Sequence, residues 1–378
     1  MRRIKVLHLR DTYEIGGPGK TMLETFRAID ATRFDLHLGV FQTRYEAGDT
    51  PFTVAAKSLG MPVHYLRGYN QYDPRVVRGV VELVKSEQFD VVHAHEVKSD
   101  VITYLASKLH RMPIMTTLHG WIGNRRKDRL LIALDKRVLR AFDCVIAVSG
   151  KIRDELVAGG VPKDVVRLLH NAIVVDKYRR TGQEGLLTSL IGKPVEHPVI
   201  TTIGRLSPEK GQADLIEALA ILAREGQAFS AIFVGDGPDR ERLESRVLEL
   251  GLEETIHFPG YLSQPERILE ETDLMVLPSH TEGLPNAALE ALVMEVPVLA
   301  TRVGGTPEVV TDGATGRLVP PHEPQSLAAD IREFLADPGP WKKMATRGRA
   351  MVEAQFDFRV RTRRLEAIYL ELAGVDAR

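Results

Sequence analysis

Cysteine is almost missing from this chain. Cys144 is the only one in 378 residues, so neither an intramolecular disulfide nor a cysteine zinc site is available. A reducing cytoplasm is the expected location. No uninterrupted apolar run reaches the length of a membrane span. The basic N-terminus is followed by an apolar stretch broken at His8 and Arg10, so it reads as a first strand and not as a signal peptide. No short-period repeat is visible. Net charge is also small, −1, but it is unevenly spread. Residues 1–175 carry 27 Lys or Arg against 19 Asp or Glu, whereas residues 176–355 carry 18 against 28. A basic half joined to an acidic half suggests an anionic partner for the first; undirected drift of surface charge is the alternative.

What is present is alternation. Strand-like runs at 5–9, 35–40, 90–95, 114–118 and 144–148 are separated by amphipathic helical runs, the first predicted from about Lys20 to Ala28 after a Gly-rich loop. Ser149 is a good helix N-cap. The pattern breaks around 174–197, where 179–185 and 192–198 are linker-like, then resumes with strands at 199–203, 231–234, 255–258, 274–277 and 297–300. The predicted fold is α/β: two doubly wound, Rossmann-like domains with parallel sheets, facing a central cleft. The boundaries are 1–174 and 175–355, with a final amphipathic helix in 356–378 packing back on the first domain. Ligands bind at the carboxyl ends of such strands.

The most informative motif is Thr281-Glu282-Gly283-Leu284-Pro285-Asn286-Ala287-Ala288-Leu289-Glu290. It joins a strand to a helix through a Gly-Pro loop, and a helix N-terminus favours phosphate through its free N–H groups and dipole. A carboxylate on each side can hold hydroxyls flanking that phosphate, the layout of a sugar nucleotide. Gly204-Arg205-Leu206-Ser207-Pro208-Glu209-Lys210-Gly211 follows the first strand of the second domain. Gly204 permits a sharp exit, and Arg205 and Lys210 supply cations that would neutralise a diphosphate leaving group in the absence of an acidic metal motif.

Three suggestive patterns lead elsewhere. Gly16-Gly17-Pro18-Gly19-Lys20-Thr21 ends like a triphosphate loop, but position 14 is glutamate where that loop requires glycine. Gly235-Asp236-Gly237-Pro238-Asp239-Arg240 has arginine where the dinucleotide fingerprint requires glycine. His93 and His95 would point the same way along a strand, but no Asp/Glu/Cys cluster completes a metal site.

Taken together, Gly204-Arg205-Leu206 with Lys210-Gly211, Val234 to Pro238, Phe258-Pro259-Gly260-Tyr261, Pro278 to Glu290, Gly304-Gly305 with Pro307-Glu308, and Gly316 to Pro321 resemble the retaining glycosyltransferases of family 4, which have the GT-B fold. The resemblance covers the second domain closely and the first loosely. It implies a donor-binding second domain and an acceptor-binding first one. It places Glu282 near the anomeric centre of the transferred sugar and Glu290 on the ribose hydroxyls. Arg205 and Lys210 would hold the diphosphate, with backbone groups from Gly283 and Leu284 to Asn286 and Ala287, while Tyr261 and Leu262 would lie where the base is cradled. Gly16 and Gly17 would face the donor phosphate and the acceptor, and His119 would reach the donor sugar. It also implies retention of configuration, no metal or other cofactor, and most often a uridine carrier.

The run 125–140 has seven Lys or Arg and two Asp, with Leu130, Leu131, Leu134 and Val138 on one helical face. Such a helix can lie on anionic lipid or pack on the core with a solvated cationic face. The expected partners are a nucleotide-sugar donor and a glycan, glycolipid or small-molecule acceptor, in cell-surface polysaccharide or glycolipid synthesis. Peripheral contact with the inner face of the cell membrane is included; nucleic acid is not. The rival readings are a sugar-nucleotide epimerase of the same fold and a non-catalytic scaffold of a polysaccharide assembly complex.

Overall fold

A computed structural model describes residues 2–11, 15–43, 48–69, 73–119, 126–183, 185–193, 195 and 198–375, leaving aside the side chains of 126–130. Gly120, Arg125 and the linker residues Glu184, Pro194, Glu196 and His197 lie outside the described residues. The chain divides into two compact units, Met1–Asn171 with Phe358–Arg378, and Ala172–Asp357.

The first unit holds seven parallel strands: β1 (Ile4–Arg10), β2 (Phe34–Thr43), β3 (Val63–Gly68), β4 (Val91–Ala94), β5 (Ile114–Leu118), β6 (Cys144–Ala147) and β7 (Val166–Leu168). They run in the order β3-β2-β1-β4-β5-β6-β7. Because side chains alternate along a strand, β1 sends Ile4 and Val6 into one core layer and Leu7 and Leu9 into another. Helices cover the sheet with matching faces: Arg75–Glu87 buries Val76, Val77, Val80, Val81 and Val84 at helical spacing. The helix Phe358–Leu372 adds Leu365, Tyr369 and Leu370 to the core layer of Ile4 and Val6.

The second unit repeats the plan with six strands: β8 (Val199–Ile203), β9 (Ser230–Val234), β10 (Ile256–Gly260), β11 (Leu274–Leu277), β12 (Val298–Thr301) and β13 (Arg317–Val319). Their order is β10-β9-β8-β11-β12-β13, again all parallel. β11 divides Leu274 and Val276 from Met275 and Leu277 between two core layers.

A small device recurs in both sheets. Asp90, Asp143 and Asp273 each stand one residue before a strand. Their carboxylates accept the N–H of Lys5, Ile114 and Val199 at 2.9, 2.8 and 2.8 Å. Each thereby satisfies a backbone donor at the start of a neighbouring strand.

Three sequence expectations need correction. Gly16 and Gly17 are not in a loop: the first helix runs Gly16–Ala28 and includes both. A first helical turn has no intrahelical partners for its N–H groups, so Gly and Pro18 are tolerated there. Gly19 leaves room for the Arg10 guanidinium, since a Cβ there would lie 2.4 Å from Arg10 Nη1. The break in the alternation contains a helix that was not predicted, Leu186–Ile191, which lies between the two linker-like segments and buries Leu187. Strands β3, β7 and β13 were not predicted. β7 and β13 have three residues each, too short for a periodic signal.

In both sheets the strand order reverses beside the first strand of the unit, between β1 and β4 and between β8 and β11. At that reversal neighbouring loops leave in opposite directions and a crevice opens at the carboxyl ends of the strands.

Candidate active site

At the reversal of the second sheet, the loop after β8 carries Gly204 to Gly211 and the loop after β11 carries Pro278 to Pro285. Lys210 Nζ donates to Glu282 Oε1 at 2.6 Å, and Ser279 Oγ donates to the same oxygen at 2.7 Å. The Glu282 side chain is only 9% exposed, so its charge is held by this pair of donors. Its Oε2 has no partner among the described residues and remains an acceptor for a ligand hydroxyl. Lys210 has two further N–H donors to offer.

The loops can approach this closely because glycines stand where they meet. A Cβ on Gly235 would lie 1.9 Å from the Gly204 carbonyl oxygen, and one on Gly237 2.2 Å from that of Leu206. Gly304, at φ +53°, would meet the Glu282 carbonyl oxygen at 1.7 Å. The Gly-Asp-Gly and Gly-Gly segments therefore pack backbone on backbone behind Arg205, Leu206 and Glu282.

The helix Asn286–Val293 follows, with Pro285 at its N-cap and no side-chain cap. The N–H groups of Asn286 and Ala287 have no partner among the described residues. Arg205 is exposed, and its guanidinium has no partner among them either. Glu290, one turn into the helix, accepts from Tyr178 Oη at 2.9 Å. Tyr178 was not anticipated, since it lies 112 residues away, where the strand–helix alternation breaks. Gly283 is exposed and Leu284 is buried below the loop. Tyr261 is 70% exposed after β10, and Leu262 is half-buried beside it.

Lys210 and Glu282 thus join the two loops, with Gly204 and Arg205 on the first, Gly283 on the second, and Asn286, Ala287 and Glu290 on the helix that follows. Gly16, Gly17 and His119 belong to the first unit. His119 follows β5, and desolvation, with Arg361 and Arg10 adding to it, holds its imidazole neutral with a pKa of about 3.

The reversal point of the first sheet contains a histidine chain missed in the sequence. His95 Nε2 and His8 Nδ1 are 2.9 Å apart, and His8 Nε2 is 3.3 Å from Tyr369 Oη. Tyr369 Oη reaches His93 Nδ1 at 2.8 Å, and His93 Nε2 reaches Thr117 Oγ1 at 2.8 Å. Burial lowers His8 to about 3, and His93 and His95 well below the usual value. The spacing of His93 and His95 gave half of this group; His8 and Tyr369 come from opposite ends of the chain. Beside it, Arg10 Nε donates to Glu96 Oε1 at 3.2 Å.

Comparison with known proteins bears on this arrangement. The profile described as Glycosyltransferase Family 4 matches residues 15–177, and that described as Glycosyl transferases group 1 matches residues 189–351. The chain belongs to this glycosyltransferase family. It is 28% identical to the N-acetyl-alpha-D-glucosaminyl L-malate synthase of Bacillus anthracis, over 82% of this chain and 81% of that one. It is 27% identical to the D-inositol 3-phosphate glycosyltransferase of Streptomyces bingchenggensis, over 68% of this chain but only 61% of the relative's length. The crystal structure of Anabaena Alr3699/HepE in complex with UDP matches with a TM-score of 0.86 at 23% identity, covering 97% of this glycosyltransferase and 100% of that chain. At that identity the likeness is one of fold: both are GT-B proteins with two Rossmann-like units.

Proposed function

We propose that this glycosyltransferase moves a sugar from a nucleoside diphosphate carrier, uridine diphosphate by preference, to an acceptor hydroxyl with retention of configuration. The observation that carries the reading is Glu282, a nearly buried carboxylate with one oxygen held by Lys210 and Ser279 and the other open. Glu282 takes a hydroxyl of the transferred sugar. Lys210, still paired to Glu282, turns a remaining N–H to the diphosphate, joined by Arg205 and the open N–H groups of Asn286 and Ala287. This cluster neutralises the charge that grows on the leaving diphosphate, so the transfer step needs no metal. Glu290, steadied by Tyr178, takes the ribose hydroxyls, and the backbone around Tyr261 and Leu262 takes the base. UDP in a neighbour of the same fold, and relatives named as glycosyl transferring enzymes, support the donor class. His119, Gly16 and Gly17 are assigned to the sugar and acceptor side on the resemblance of their positions.

Calorimetry and single-turnover assays with UDP-sugars test this. Glu290→Ala is expected to weaken donor binding about tenfold or more, the loss of a charge-assisted hydrogen bond. Glu282→Ala is expected mainly to slow transfer. Unchanged donor binding and turnover in both variants would end the assignment. Sugar-nucleotide isomers formed without acceptor would favour the epimerase instead.

The acceptor is assigned to the first unit, in synthesis of a cell-surface polysaccharide or glycolipid. The helix Arg126–Leu139 presents Leu131 and Leu134 to solvent at 47% and 45% exposure, while Val138, expected on the same face, is buried. Exposed leucines among Arg137 and Arg140 suit an anionic bilayer surface. No helix among the described residues is long and apolar enough to cross one. Flotation with anionic liposomes is expected to exceed that with neutral ones, and equal recovery would remove the membrane from the proposal.

A further inference from the structure

Three side chains beyond the Lys210–Glu282 pair converge on one point of the second unit. Asp214 lies in the first turn of the helix Gln212–Arg224, His280 in the loop after β11, and His322 in the turn after β13. His280 Nε2 is 2.8 Å from Asp214 Oδ2, and His322 Nδ1 is 3.9 Å from the same oxygen. The two rings lie 3.8 Å apart, and one potential ligand atom from each residue falls within a 4.8 Å sphere of the others. Around a tetrahedral zinc ion with bonds of about 2.0–2.1 Å, neighbouring ligand atoms are about 3.3 Å apart. The observed 2.8 and 3.9 Å bracket that value.

Two backbone features favour the convergence. His322 has φ +61°, a left-handed conformation uncommon outside glycine, and it carries the ring over His280. Gly211 leaves room beside His280, since a Cβ there would lie 2.9 Å from Nε2. The His280 backbone N–H is fixed to the Glu209 carbonyl at 2.9 Å.

We propose that Asp214 Oδ2, His280 Nε2 and His322 Nδ1 bind one divalent late first-row transition metal ion, zinc being the usual member, with water completing the shell. Two imidazoles and a carboxylate select such ions over magnesium and calcium, which prefer all-oxygen sites. Both histidines bind as neutral ligands. His280 then carries its one ring proton on Nδ1, which frees Nε2 for the ion in place of the Asp214 contact. The excess of Asp and Glu in residues 176–355 favours cation capture. The site is separate from the residues assigned to the diphosphate, and its failure would leave that assignment standing.

Equilibrium dialysis of the full chain against Zn²⁺, and visible absorption with Co²⁺, test the site. One Zn²⁺ per chain, tetrahedral Co²⁺ bands and a rise in melting temperature with Zn²⁺ but not Mg²⁺ are expected. His322→Gly should weaken Zn²⁺ binding at least tenfold, about 1.4 kcal/mol. The same variant should keep or raise the metal-free melting temperature, since glycine accepts φ +61°. His280→Gln provides the second variant and should also weaken binding. The proposal is overturned if the wild-type chain takes up no Zn²⁺ at about 0.1 mM, or if both variants keep its affinity. The trio is then only a hydrogen-bonded Asp–His pair with a second imidazole tilted against it.

Discussion

The two sheets are wound in the same order around the same kind of reversal point, and each sets an ion pair there, but with different company. In the second sheet the reversal carries an ion pair under thin cover, Lys210 with Glu282, beside an uncapped helix start and an exposed Arg205. In the first, the Arg10–Glu96 pair stands beside a buried chain of neutral groups linked to one another, from His95 through His8 and Tyr369 to His93 and Thr117. A shared topology therefore positions a site without deciding its chemistry, which depends on the side chains each loop brings.

Breaking the charged half should have the largest effect. Lys210→Ala is expected to lower the rate of sugar transfer about 10²–10³-fold, the scale of removing one group that stabilises transition-state charge. It also leaves the Glu282 carboxylate with Ser279 as its sole partner. A rate within threefold of wild type would show that the pair is structural.

Acid should distinguish the two halves next. A histidine at about 3 when folded and 6.5 when unfolded binds its proton only in the unfolded chain between those values. Stability therefore falls as pH drops below 6.5, by about 1.4 kcal/mol per pH unit for a group such as His8. Amide protection factors between pH 6.5 and 4 should fall in β1 and β4 before β8 and β11. An equal fall in both sheets would erase the contrast.

The smallest effect sharpens the picture within the second site. Tyr178→Phe removes one hydrogen bond to Glu290 and should weaken donor binding by about 0.5–1.5 kcal/mol, measured by calorimetry. A loss as large as that of Glu290→Ala would mean that the phenol itself touches the ligand.

Much of this was legible in the sequence, for identifiable reasons. Strand–loop–helix alternation exposed both sheets because parallel strands buried on two faces are short, apolar and bounded by turn residues. Ser149 was readable as an N-cap, and its Oγ accepts the Ile152 N–H at 3.3 Å. The Lys210, Glu282 and Glu290 cluster stood out because its loops are local and rich in Gly and Pro. Groups assembled from distant segments were not legible. Tyr178 with Glu290, His8 and Tyr369 with His93, and Asp214 with His280 and His322 meet only through the sheet order, and no local spacing encodes them. Gly16 and Gly17 were misplaced because glycine is as acceptable in a helix's first turn as in a loop.

The salt link between Lys210 and Glu282 has a consequence for competing solutes. A cation that already carries its own counter-ion gives little net attraction to a free inorganic anion, which must contend with the adjacent carboxylate. A molecule that offers a hydroxyl to Glu282 while presenting phosphate to Lys210 and Arg205 meets no such penalty, because both halves of the pair gain a partner. On the proposed function, the pair therefore favours phosphate attached to a polyol over free phosphate.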